Sequence, residues 1–258
     1  MNILRILNIS RPRFWIYEFG TYLLGVFAGI SYLEQPNYFY IIIFGLFFIF
    51  PANLLIYGVN DIFDYETDRL NPKKTGYEDL LDPSLHKKVF FYIFVTNIPF
   101  LILSFFVSGK AFVALLLFYF FAVFYSALPI RAKVRPFFDS FFSASHYVVT
   151  GVFGYFLVGG EGSIVLPVLA GISWAMAMHA YSAVPDIFAD RESGIQTIAT
   201  KLEKQKTILL CAGLYLLSAL LVLPYVSYVG LVLAVPYLFL MFKSYKAEDA
   251  QLFRYYKY

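Results

Sequence analysis

The chain has 258 residues, of which 60% are hydrophobic and only 14% charged, and its mean hydropathy is +0.69. Those values lie outside the range of water-soluble domains, so the solvent for most of the chain is lipid. The net charge of +3 gains meaning only once the charges are placed against the apolar runs.

A helix needs about 20 mostly apolar residues to cross the hydrocarbon of a bilayer. Eight such stretches stand between charged or proline-marked breaks: 14–33, 38–59, 89–108, 111–128, 140–159, 164–185, 207–224 and 225–242. The runs 41–50 and 113–124 are continuously apolar rather than alternating, which excludes barrel strands and leaves an all-α transmembrane bundle, expected as a single domain over 1–258. Arg5, Arg11 and Arg13 precede the first stretch, and no short apolar region with a small-residue cleavage site follows them. No removable signal peptide is therefore expected, and the mature chain is read as starting at Met1. Cys211, inside the seventh stretch, has no second cysteine to pair with.

Cytoplasmic loops of membrane proteins carry an excess of Lys and Arg. With the amino terminus inside, the cytoplasmic segments collect every basic residue except Lys110. Eight spans with both termini cytoplasmic follow from that asymmetry.

Two of the cytoplasmic loops open with carboxylates where an apolar helix ends. The first reads Asn60-Asp61-Ile62-Phe63-Asp64-Tyr65-Glu66-Thr67-Asp68-Arg69. On a continuing helix Asn60, Asp61, Asp64 and Asp68 share one face. The second reads Asp186-Ile187-Phe188-Ala189-Asp190-Arg191, its carboxylates stacked at i and i+4. Like charges at these spacings cost roughly 0.2 to 0.5 kcal/mol per pair, and a carboxylate at the bilayer centre about 2.5 to 3.5 kcal/mol, so a counter-charge is required. Magnesium fits that need, because it takes oxygen from one or two carboxylates plus substrate phosphates. No His or Cys cluster favours zinc. The string Asp-x-x-x-Asp-Arg occurs in both loops, suggesting two four-helix halves that bring the two clusters to face each other with a diphosphate between them.

Asn60-Asp61-x-x-Asp64-x-x-x-Asp68 resembles the first signature of the UbiA superfamily of intramembrane prenyltransferases, and Asp186-x-x-x-Asp190 with Gly194 and Thr197 resembles the second. The resemblance runs from Ser10-Arg11-Pro12, through Tyr125-Ser126-x-x-Pro129-x-Arg131-x-Lys133, to about Leu202. The string from His179 to Ile195 is most similar to the carotenoid branch, the lycopene elongases. The resemblance implies a UbiA-like bundle and transfer of a five-carbon unit from an allylic diphosphate, dimethylallyl diphosphate in the first place, to each end of lycopene on the route to fifty-carbon carotenoids. His179 stands where quinone-type members often have an acid, and the superfamily usually has nine spans where eight are read here.

The implied roles fall on named residues. Asp61, Asp64, Asp68, Asp186 and Asp190 hold Mg2+, Asn60 helps position it, and Asp64, Asp68 and Asp190 are the acids closest to the chemistry. Arg131, Lys133 and Arg135 supply cations for the diphosphate, or else anchor a positive-inside loop. Arg69 and Arg191 bind substrate or pair with neighbouring acids. Asp139 completes the site or caps a helix.

Ionisation leaves an allylic cation that needs a dry, aromatic cavity. The chain is 21% aromatic, and Tyr57, Tyr125, Tyr147 and Tyr181 lie in the cytoplasmic halves of their spans. Glu18 and His179 are ionisable groups inside spans: Glu18 takes a proton, pairs with His146 or faces a water-filled cavity, His179 is a candidate base, and a structural hydrogen bond is the alternative for both. The acceptor is an apolar isoprenoid entering from membrane lipid; no nucleic-acid partner is expected. An aromatic quinone precursor is the alternative acceptor. A cation transporter would want its acids near the midplane, and a CDP-alcohol transferase an Asp-Gly pair that this sequence lacks.

The charge asymmetry yields a direct test. Reporter fusions after Lys74, Lys133, Lys204 and Tyr258 read cytoplasmic and one after Lys110 reads external; one external reading among the first four breaks the eight-span topology.

Overall fold

A computed structural model of the chain describes residues 3–30, 36–69, 80–248, 251–252 and 255, and the side chains of all of these but Thr67 and Asp68. The expected roles of the Asp68 side chain, and the charges Lys73, Lys74, Arg254 and Lys257, lie outside the described residues. Regular structure among the described residues is helical: α1 Ile3–Ile9, α2 Trp15–Gly29, α3 Tyr38–Ile49, α4 Pro51–Phe63, α5 Tyr65–Asp68, α6 His86–Leu103, α7 Gly109–Ser126, α8 Phe138–Leu157, α9 Val165–Ser182, α10 Ile187–Glu192, α11 Ile198–Leu221, α12 Leu223–Val226 and α13 Val229–Lys246. The helices gather into two compact units, residues 1–130 with 146–162, and residues 131–145 with 163–258.

The first unit is built on aromatic packing. Tyr22, Phe44, Phe47, Phe48, Phe118 and Phe153 are fully buried, with ring centroids 4.7 Å apart for Phe44 and Phe153 and 4.9 Å for Phe47 and Phe48. The Tyr22 hydroxyl donates to the Ile41 carbonyl at 2.8 Å, so its polar end costs nothing inside that core. Between α2 and α8 the backbones touch: a Cβ on Gly25 would collide with the Gly151 carbonyl, and one on Gly154 with that of Tyr22. Thr21 and Thr150 close the same seam with a 2.6 Å hydroxyl contact. Small residues and interhelical hydroxyls are what draw helices together in lipid, where burial of apolar surface offers no gain.

In the second unit α11 packs against both α9 and α13. Ala177, Ala180, Ile208, Cys211, Tyr215 and Met241 form its core, and the Tyr237 ring lies 4.8 Å from Tyr215 and 6.0 Å from Trp174. Large apolar side chains such as Leu24, Phe27, Ile42, Phe94, Leu209, Val232 and Phe239 point outward. An apolar exterior of this extent suits lipid and not water.

Six helical segments of the described residues are long and apolar enough to span a membrane: Tyr38–Phe63, Pro83–Phe106, Gly109–Ser126, Val165–Glu192, Ile198–Leu221 and Val229–Lys246. Two of the eight expected stretches, 14–33 and 140–159, fall short of that measure among the described residues. Helix α2 covers 15 described residues, and 31–33 of its stretch lie outside the described residues. Helix α8 has 20 residues, but its sequence is interrupted by Asp139, four polar hydroxyl residues and His146. The seventh stretch is preceded by a short helical segment from Ile198, set off from it by a break at Glu203 (φ 66°, ψ 164°).

The second stretch is not one helix. Pro51 has no N–H to donate and displaces the preceding residue, so α3 ends at Phe50 (φ −114°, ψ −60°) and α4 restarts at Pro51. Buried Asn53 donates its amide to the carbonyls of Phe48 at 2.8 Å and Ile49 at 2.9 Å, replacing bonds the break removes. Nor do the acidic motifs lie on continuing helices. Asp64 ends α4 at φ −105° and ψ 5°, and Val184-Pro185 separates α9 from α10 with a 3-10 turn over Val184–Asp186.

The glycine seam predicts a sign. Gly25→Val lowers the thermal unfolding midpoint in detergent, with a cost of about 1 to 3 kcal/mol from overpacking. Gly213→Ala, where a Cβ meets nothing within 4 Å, stays within about 1 kcal/mol of the parent. Equal stability of Gly25→Val and the parent contradicts the close approach.

Candidate active site

In the first unit the acidic motif is held by groups remote in sequence. Asp64 is fully buried; Asn60 donates its amide to Asp64 Oδ2 at 2.7 Å and to Ser126 Oγ at 3.1 Å. Asn60 and Asp64 are one turn apart, and the Asp64 N–H donates to the Asn60 carbonyl at 2.9 Å, so the side-chain and backbone bonds close the same turn. Asp61 faces a different partner. Arg11 Nη2 donates to Asp61 Oδ1 at 2.9 Å, with the two side chains 17% and 7% exposed. Burying a carboxylate requires such pairing.

Arg11 is placed by its own segment. It adopts φ 50° ahead of the 3-10 turn Pro12–Phe14, and the Trp15 indole donates to the Ser10 carbonyl at 3.0 Å. Its guanidinium lies 4.7 Å from the centre of the Tyr57 ring. From Tyr57 an aromatic cluster continues inward: the Phe14 ring is 5.6 Å away and itself 6.0 Å from Tyr17, and the Tyr147 ring lies 5.7 Å from Tyr17 and 4.2 Å from His146. Tyr125 flanks His146 at 6.4 Å. Of the alternatives open for Glu18, the pairing with His146 forms: His146 Nδ1 and Glu18 Oε1 are 2.7 Å apart, the side chains 3% and 1% exposed.

In the second unit Asp186 ends a 3-10 turn and Asp190 lies in α10, both half-buried. Gly194 then takes φ 69°, a conformation that glycine adopts without steric cost, and the chain turns so that the Ile195 N–H donates to the Asp190 carbonyl at 2.8 Å. Thr197 caps α11 through a reciprocal pair of bonds with Thr200, and its hydroxyl lies 3.5 Å from Asp190 Oδ2. Asp139 does cap a helix, though not its own: Oδ2 accepts the Ile198 N–H at 2.9 Å, at the start of α11.

The remaining expected residues are distributed as follows. Arg131 enters the 3-10 turn Ala132–Val134 at φ 45°, Lys133 lies within that turn and Arg135 follows it; Arg131 and Lys133 are half-buried and Arg135 is exposed. Arg69 pairs with Glu66 at 3.3 Å, both exposed. Arg191 binds Glu203, and its guanidinium also donates to the Thr200 carbonyl at 3.1 Å. His179 Nδ1 is joined to Ser140 Oγ at 3.1 Å. Tyr181 is packed in the core of the second unit, its hydroxyl 2.7 Å from Ser244 Oγ.

The donor chemistry of both motifs is oxygen only. Among the described residues no three His, Cys, Asp or Glu side chains gather into a protein-only metal cage. A hard cation that completes its shell with water and phosphate oxygens needs no such cage, so Asp61 and Asp64, with the Asn60 amide beside them, fit magnesium better than zinc.

Two residues of the first cluster were not assigned roles from the sequence. Arg11 reads there as one more positive-inside charge, and Ser126 as a helix-end serine; the only signal for either was its place in the Ser10-Arg11-Pro12 and Tyr125-Ser126 strings.

Comparison with known proteins places these features. A lycopene elongase/hydratase of Halobacterium salinarum is 37% identical over 211 residues, covering 82% of this chain and 76% of that protein. One from Corynebacterium glutamicum is 37% identical over 225 residues, covering 84% and 76%. The solved structure of a UbiA homolog from Archaeoglobus fulgidus, bound to DMAPP and Mg2+, superposes with a TM-score of 0.81 over 98% of this chain and 97% of its own; at 18% identity that likeness speaks for the fold. The family model of the UbiA prenyltransferases matches residues 19–255, and this multi-pass helical membrane protein belongs to the UbiA prenyltransferase family.

Proposed function

We propose that the chain is a magnesium-dependent lycopene elongase, transferring a five-carbon unit from dimethylallyl diphosphate to the ends of lycopene. The observation that carries this reading is the 37% identity to lycopene elongase/hydratases across more than four-fifths of the chain. The acids at the ends of α4 and α9 support it.

In this reading Asp61, Asp64 and Asp68 of the first motif and Asp186 and Asp190 of the second hold the metal diphosphate on the cytoplasmic side, and Asn60 orients Asp64 through the 2.7 Å amide bond. Bound magnesium neutralises the diphosphate and so makes it a better leaving group. Arg131, Lys133 and Arg135 supply positive charge to the same group, with Arg69 and Arg191 at the rims of the motifs. Tyr57, Tyr125 and Tyr147 present aromatic faces to the allylic cation and keep water out. The acceptor alkene attacks C1, the C1–O bond breaks, and the new tertiary cation loses a proton to a base or is captured by water. His179 is one candidate for that base.

An alkene acceptor carries no charge, so its binding rests on apolar and aromatic contacts, whereas a hydroxybenzoate would need a cation of its own. Lycopene supplied with dimethylallyl diphosphate is expected to gain one and then two five-carbon units, with or without water, while aromatic acids return unchanged. Mass analysis showing prenylated aromatic acids and intact lycopene would sink the carotenoid assignment and leave the family untouched.

Asp64→Ala and Asp186→Ala are each expected to lower transfer by at least about 10²-fold, the scale of losing a group that stabilises transition-state charge, with the protein still folded in membranes. Excess EDTA gives the same loss. Undiminished turnover in either variant or in EDTA contradicts the metal-diphosphate role.

A further inference from the structure

The pair formed by Glu18 and His146 is difficult to explain as scaffold. Both side chains are almost fully buried and joined by a single 2.7 Å bond, and Glu18 Oε2 is buried with no hydrogen-bond partner among the described residues. A buried ion pair seldom adds stability over apolar residues of the same volume. An ionisable group within a membrane helix that keeps an unsatisfied oxygen therefore points to chemistry.

Its surroundings say which chemistry. The groups facing the pair are Tyr17 from α2, Tyr57 from α4, Tyr125 from α7 and Tyr147 from α8, with Arg11 and Asp61 one contact further out. A line of contacts thus runs within one unit from Asp61 through Arg11, Tyr57, Phe14, Tyr17 and Tyr147 to His146. These rings are the ones that stabilise a carbocation without attacking it. Resting on the elongase reading, we infer that His146, supported by Glu18 on Nδ1, accepts the proton that ends the reaction.

The step balances in either outcome. In one, a C–H bond next to the tertiary cation breaks, its electron pair becomes the new alkene, and the proton passes to His146 Nε2. In the other, a water oxygen bonds to the cation and one water proton passes to Nε2. In both, the Glu18 carboxylate stabilises the imidazolium that forms, as a carboxylate on the far ring nitrogen does for other basic histidines. His179, whose Nδ1 meets the neutral hydroxyl of Ser140, gains no such support from that contact.

The test uses the full chain in lipid vesicles with lycopene and dimethylallyl diphosphate, measuring donor Kd, turnover, and the ratio of alkene to alcohol in the product. Glu18→Gln and His146→Gln are expected to keep donor Kd within about threefold, to lose at least about 100-fold in turnover, the scale of general-base catalysis, and to shift the alkene-to-alcohol ratio of what remains. The double variant Glu18→Met with His146→Leu removes both charges together and so strands neither in the core. It is expected to fold, bind donor and be no slower than the single variants, because the two groups act as a unit. Wild-type turnover and product ratio in any of the three, or a loss of turnover matched by a loss of donor binding, overturns the role of the pair while the elongase reading stands. A parent enzyme that leaves lycopene unchanged overturns the elongase reading and this role with it.

Discussion

Lipid offers no hydrogen bonds, so every polar atom that the helices carry into the bundle must find its partner within the protein. The tertiary structure of this chain is largely a record of how that requirement is met. Asn53 covers the carbonyls freed at Pro51, Tyr22 reaches the Ile41 carbonyl, and Thr21 meets Thr150 across the glycine seam. The carboxylates are the severest case, because an ion unpaired in a low-dielectric interior costs several kcal/mol. Asp61 is matched by Arg11 and Asp64 by the Asn60 amide.

The same requirement locates the motifs. Irregular backbone in a membrane protein is tolerated where it is buried in protein or lines a cavity, and both acidic motifs sit on such irregularities: the stop at Asp64 and the Val184-Pro185 break. A straight helix would stack Asp61 and Asp64 on one face with their charges in opposition. Here Asp61 meets the Arg11 guanidinium and Asp64 the Asn60 amide, each contact offsetting part of that repulsion.

Around the first motif, tyrosine is used for its ring. The rings of Tyr17 and Tyr57 pack on Phe14, and Tyr147 packs on Tyr17. His146 and Glu18 lie behind these rings, both almost fully buried and 2.7 Å apart.

By itself the sequence determined the solvent, the helical class, the family and the residues of both acidic motifs. Composition, run length and i, i+4 spacing are local properties, and they survive in one dimension. It also allowed the pairing of Glu18 with His146, because charged groups are so scarce inside the spans that few partners exist. Only the tertiary structure decided that Arg11 belongs to Asp61, 50 residues away, and Ser126 to Asn60, 66 away. It likewise showed that Asp139 caps the helix beginning at Ile198 and that Tyr181 is committed to Ser244. Contacts between residues so distant along the chain carry no periodicity to read. They exist because helix packing brings the groups within 3 Å or so, and a buried polar atom accepts whichever partner that packing supplies.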